Sequence, residues 1–130
     1  MLDLAIRNGY VLDGTGNPWF RADIGVKDGR IATVGRLVEN ADTSINALDL
    51  TVCPGFIDMH SHSDDALLIN PKAESKVRQG VTTEVIGNCG DSGAPINETI
   101  REEMEKTGAP IISAGIKVDY STLQEYTRKL

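Results

Sequence analysis

The sequence has little of what marks a specialised fold. Aromatic residues make up 5% of its 130 positions, with a single tryptophan. No run approaches the roughly 20 consecutive apolar residues of a membrane-spanning helix, so no membrane association is expected. The two cysteines, Cys53 and Cys89, are too few for a disulfide framework, which leaves packing or metal ligation as their chemistry. Positive charge is also short: 13 lysines and arginines stand against 19 acids, a net charge of −6. Such a balance repels phosphate backbones, so nucleic acid is not an expected partner. The opening Met1-Leu2-Asp3-Leu4-Ala5-Ile6-Arg7 lacks the apolar core and cleavage site of a signal peptide, and a cytoplasmic location is expected. No phosphate loop and no serine nucleophile elbow occur.

What is present divides by periodicity. Short apolar runs at Leu4–Ile6, Tyr10–Leu12, Ile24–Val26 and Ile31–Val34 read as strands. Asp28-Gly29 between the last two predicts a tight hairpin, because this pair accepts positive φ. Ser44–Leu50 resumes apolar alternation, and Trp19 and Phe20 beside a turn are expected to plug the unit. Residues 1–52 are therefore expected to form a small antiparallel β unit. From residue 53 the pattern changes to β/α units. Gly55–His60 reads as a short buried strand, 71–79 as a helix opened by Pro71 and closed by Gly80, and Val81–Ile86 as a second strand. A charged helix is expected near 97–107 and another from Ser121, with Leu123, Tyr126 and Leu130 at helical spacing.

Both histidines lie in His60-Ser61-His62, directly after an apolar strand. In extended backbone, alternate residues face the same way, so the two imidazoles can converge on one ion. Two unliganded surface histidines in a loop are the other reading. Asp58 lies on the same face, either orienting a ligand or capping the strand end. Cys89 sits in a Gly-Asn-Cys-Gly turn whose glycines let the backbone bring a thiolate close to a cation, although a small buried cysteine fits as well. Cys53, before Pro54, is assigned no chemistry. Asp64 and Asp65 read as a solvated turn or helix cap, with substrate contact as the other reading.

Three stretches together carry a resemblance: Pro54-Gly55-Phe56-Ile57-Asp58-Met59-His60-Ser61-His62-Ser63-Asp64, Arg78-Gln79-Gly80-Val81-Thr82-Thr83 and Gly87-Asn88-Cys89-Gly90. They resemble the metal-dependent amidohydrolase superfamily, and the Gly-Asn-Cys-Gly turn points to its N-acyl-D-amino-acid deacylase (D-aminoacylase) branch. Ile6–Gly14 and the Asp28–Ile31 hairpin are similar to that family's N-terminal β-sandwich strands. The resemblance implies an α/β fold, an N-terminal β-sandwich portion (1–52) followed by the first β/α units of a truncated (β/α)8 barrel (53–130). It implies zinc as cofactor, with His60 and His62 at the first-strand metal positions and Cys89 at the cysteine position. The implied reaction is zinc-assisted hydrolysis of a small N-acyl-D-amino acid to a carboxylate and a free D-amino acid. Asp91 departs from the family's usual apolar aromatic residue after Cys-Gly.

A barrel of this type needs about 250 residues, and no histidine follows residue 62. The resemblance therefore implies an N-terminal fragment, inactive by itself. Two other readings stand beside it. A hydantoinase- or dihydroorotase-like cyclic-amide hydrolase would give Cys89 no role, and a non-catalytic protein would use the β unit as an interaction module.

Overall fold

In the computed structural model, which describes all 130 residues, the first two apolar runs fall, all but Leu12, within one strand, β1 (Leu2–Val11). A register shift between Ile6 and Gly9 marks the irregularity that separates them, with Asn8 at a φ of 67°. β1 pairs antiparallel with β2 (Phe20–Lys27), which pairs antiparallel with β3 (Arg30–Gly35). The β2–β3 turn places Asp28 and Gly29 at φ of 52° and 70°, the paired positive angles that the Asp-Gly sequence predicts. On its other side β1 pairs in parallel with β4 (Ala41–Asn46) and β5 (Thr51–Val52). The sheet is therefore mixed, not antiparallel as the sequence suggests: the chain from β3 crosses over β1 instead of turning back along it. Leu2, Ala5 and Leu37 form the buried cluster of this unit, with Ala41 packed against it. Trp19 and Phe20 do not plug it. They are exposed, and Trp19 instead packs edge-on against Tyr10 at 4.6 Å between ring centroids.

The chain divides into two units, Met1–Pro54 and Gly55–Leu130. In the second, β6 (Phe56–Asp58) pairs in parallel with β7 (Val81–Glu84). Gly55 is required by this pairing, because a Cβ there would lie 2.2 Å from Thr82 Oγ1. The β6 strand is not buried as its apolar sequence predicts: Phe56 and Ile57 are 58% and 60% exposed. Between the strands, α1 (Asp64–Ile69) forms where a polar loop is expected. The expected helix over 71–79 shrinks to α2 (Glu74–Val77), because Ala73 at its start takes the left-handed conformation (φ 45°). Helix α3 (Glu98–Thr107) forms as the sequence indicates, with the Asn97 side chain accepting from the Ile100 amide and Gly108 closing it. α4 (Pro110–Ser113) and α5 (Leu123–Thr127) complete the unit, and α5 carries a capping box between Thr122 and Glu125. Ala94, Ile96, Ile111, Val118, Tyr120 and Tyr126 form its core. Of the three residues at helical spacing, Tyr126 is buried, whereas Leu123 and Leu130 are exposed. No helix is long and apolar enough to cross a membrane.

Candidate metal centre

The strand ends of β6 and β7 set the site. His60 and His62 follow β6, and Cys89 follows β7 in a turn where Gly87, Cys89 and Gly90 all have positive φ. One ligand atom from each of His60, His62 and Cys89 lies within 4.8 Å of the others, and all three residues are exposed. Cys89 Sγ is 3.3 Å from His60 Nε2, and the imidazole centroids are 5.3 Å apart. Two imidazole nitrogens and a thiol form a borderline-soft donor set that fits a zinc ion, with a further coordination position left for water or substrate. The three residues singled out in the sequence are thus neighbours.

The supporting groups match the expectations only in part. Asp58 touches neither ring. Its carboxylate accepts from the backbone N–H of His60 at 3.2 Å and from Lys76 Nζ at 2.6 Å, so it caps the strand end. The hydrogen bond from Lys76, then that from His60, holds its carboxyl below the ordinary value. Asp64 is buried, not solvated: its two oxygens accept from the backbone N–H groups of Gly93 at 3.2 Å and Gly87 at 3.4 Å, bracketing the loop that presents Cys89. Asp65 is partly buried. Burial, with the charges of Asp91 and Asp64, raises its carboxyl above the ordinary value. Asp91 Oδ2 lies 3.7 Å from His62 Nδ1, which gives the departure at this position a location beside the histidines. Cys53 is free and exposed.

Residues that the sequence did not single out complete the frame. Asn88 donates from one amide nitrogen to the carbonyls of Ser61 and Val85, joining the two strand-end loops. Ser61 and Ser63 donate to Glu84, which also faces Lys76. The available signal was a single acid, Glu84, inside the β-branched run Val81–Ile86. Tyr126 reaches in from α5 and donates to the Asp64 carbonyl at 2.9 Å. Burial first, then nearby acids, pushes its phenol up to about 12. Beside His62 a cleft of about 760 Å³ opens between Asp65, Asp91, Ile96, Ile100 and Met104.

No protein-family model matches the chain. It is 48% identical over 95 residues to an N-acyl-D-glutamate deacylase of Alcaligenes xylosoxydans xylosoxydans, an overlap of 72% of this chain and 20% of that protein. The crystal structure of N-acyl-D-glutamate deacylase from Bordetella bronchiseptica, complexed with zinc and a phosphonate mimic of the tetrahedral intermediate, matches with a TM-score of 0.68 and 47% identity. That match covers 73% of this chain and 21% of the deacylase. A D-aminoacylase with a binuclear metal centre matches over 100% of this chain and 27% of its own, with a TM-score of 0.81 and 35% identity. The chain thus spans about a fifth to a quarter of the proteins it matches. By sequence and by fold together, it belongs to the amidohydrolase family, in the branch of the N-acyl-D-amino-acid deacylases.

Proposed function

We propose that this chain is the N-terminal part of a zinc-dependent hydrolase of N-acyl-D-amino acids, and that His60, His62 and Cys89 hold the ion. The convergence of two imidazoles and a thiol from adjacent strand ends within 4.8 Å is the observation that carries this reading. Bound there, zinc supplies Lewis-acid activation of an amide carbonyl and of the attacking water. The chain's own residues do the positioning. Asp58 caps the His60 amide, Asn88 ties the histidine loop to the cysteine loop, and Asp64 brackets the segment that carries Cys89. The neighbouring cleft has the volume of a small-molecule site, with apolar side chains at Ile96, Ile100 and Met104 to take an acyl or side-chain group.

Residues 1–52 in this reading are part of a β-sandwich, and 53–130 the first strands and helices of a (β/α)8 barrel. The exposure of Phe56 and Ile57 on β6 supports this, since parallel strands are ordinarily covered on both sides. The 130-residue chain alone is then inactive, because no histidine after residue 62 is there to complete a catalytic site. A cytoplasmic location belongs to the same reading, with too few cysteines for a disulfide framework. The cyclic-amide reading is weaker because it leaves Cys89 without a role, although its thiol stands 3.3 Å from His60.

Cobalt(II) titration of the chain tests the proposal. An intense thiolate-to-cobalt charge-transfer band is expected, abolished by Cys89→Ser and kept in Cys53→Ser. A wild-type chain that binds cobalt without this band would refute the thiolate assignment, and one that binds no cobalt would refute the centre.

A further inference from the structure

The side chains of the His60–Ser63 segment alternate in burial. His60 and His62 are exposed, whereas Ser61 and Ser63 are 4% and 9% exposed and turn the other way. Beneath them the two hydroxyls meet one carboxylate oxygen. Ser61 Oγ and Ser63 Oγ each donate to Glu84 Oε2 at 2.6 Å, and they lie 2.7 Å from one another. Lys76 Nζ closes the network, 3.4 Å from Glu84, 3.1 Å from Ser61 Oγ and 2.6 Å from Asp58 Oδ2. Asp58 in turn holds the His60 amide.

We infer that Glu84 is a positioning residue for the candidate metal centre, fixing His62 by gripping the serines on either side of it and reaching His60 through Lys76 and Asp58. This rests on the reading of His60, His62 and Cys89 as metal ligands. A mainly stabilising role explains the network less well, because a buried charge with several polar partners gains little over a packed apolar side chain. What such a network supplies is a fixed orientation. Burial opposes the charge on Glu84, and the hydrogen bonds from Ser61, Ser63 and Lys76 outweigh it, so the carboxyl stays below its ordinary value. The backbone of Ser61 is held as well, its N–H donating to the Val85 carbonyl at 3.0 Å and its own carbonyl accepting from Asn88 at 3.1 Å. With that backbone fixed, the serine side chains set the rotation of the segment, and so the direction of the imidazole between them. Groups that orient metal ligands in this way typically govern affinity by 10–100-fold.

The test uses the 130-residue chain and cobalt(II). Glu84→Leu should weaken cobalt binding by about tenfold or more and shift the charge-transfer band, and Glu84→Gln, which keeps an acceptor oxygen, should lose less. Ser61→Ala with Ser63→Ala should weaken binding similarly, and adding Glu84→Leu to that pair should change little further, since the same contact is already gone. Wild-type affinity and band in Glu84→Leu, or a full additive loss on the serine background, would overturn the inference. If Glu84→Leu does not fold, the serine pair decides alone, and unchanged cobalt affinity overturns it. A wild-type chain without cobalt binding would instead sink the metal reading. The positioning inference is then judged on the metal-free chain, where Glu84→Gln must alter the imidazole NMR signals of His60 and His62 and unaltered signals overturn it.

Discussion

Two tyrosines in one core offer a controlled comparison. The rings of Tyr120 and Tyr126 are both buried, with centroids 5.5 Å apart, so replacing either by phenylalanine leaves the ring packing in place. Their hydroxyls differ. Tyr126 donates to the Asp64 carbonyl at 2.9 Å, whereas the Tyr120 hydroxyl is buried without a partner. Tyr126→Phe therefore removes a made hydrogen bond, a loss of about 0.5–1.5 kcal/mol. Tyr120→Phe removes an unpaired polar group from an apolar setting and should be neutral or stabilise by up to about 1 kcal/mol. All five helices lie in Gly55–Leu130, so urea unfolding followed by helical circular dichroism reports this unit alone. Tyr126→Phe should move the midpoint down and Tyr120→Phe leave it level or raise it. Equal losses in the two variants would refute the reasoning.

Two further outcomes are expected. Asp23 accepts from the backbone N–H groups of Asn8 and Leu37, and the Leu37 bond, then the Asn8 bond, holds its carboxyl below the ordinary value. A depressed carboxyl contributes stability that is present above the unfolded value of 3.8 and is lost as the pH falls through the folded one. Asp23→Ala should therefore cost about 1–3 kcal/mol near neutrality and flatten the acid limb of unfolding, read by the fluorescence of Trp19, the only tryptophan; an unchanged acid limb would count against it. Gly55→Val should part β6 from β7, because even its Cβ would overlap Thr82, and amide exchange at Phe56–Asp58 should rise sharply.

The legible parts of this molecule are the local ones. The Asp28-Gly29 hairpin and helix α3 follow from turn and cap residues within a few positions of each other. The spacing His60-Ser61-His62 and the glycine-flanked Cys89 pointed to neighbouring residues because strand alternation and turn conformation are also local. The parallel pairing of β1 with β4 and β5 was not legible, since register between strands 40 residues apart leaves no mark in either. Asp64 reads like any polar loop residue until the amides of Gly87 and Gly93 arrive from 23 and 29 positions away. The α1 helix hid for a related reason: Ser63-Asp64-Asp65 has turn composition, and the apolar residue that anchors the segment, Leu68, packs on a core built from residues 94–126.

The order in which the chain closes on itself follows from the same separations. The contacts that frame the histidines and Cys89 span 15 residues for Lys76 to Ser61, 21 and 23 for Glu84 to the serines, and 29 for Cys89 to His60. Tyr126 reaches Asp64 across 62. Loop closure grows costlier by only about 0.6 kcal/mol per doubling of length, so the tyrosine contact is not thermodynamically remote, but it waits on a segment that follows the other partners of this frame in the chain. The strand ends and their polar props can therefore zip together by successive short closures while the polypeptide is still emerging, and the hydroxyl of Tyr126 then acts as the latch that shuts behind them.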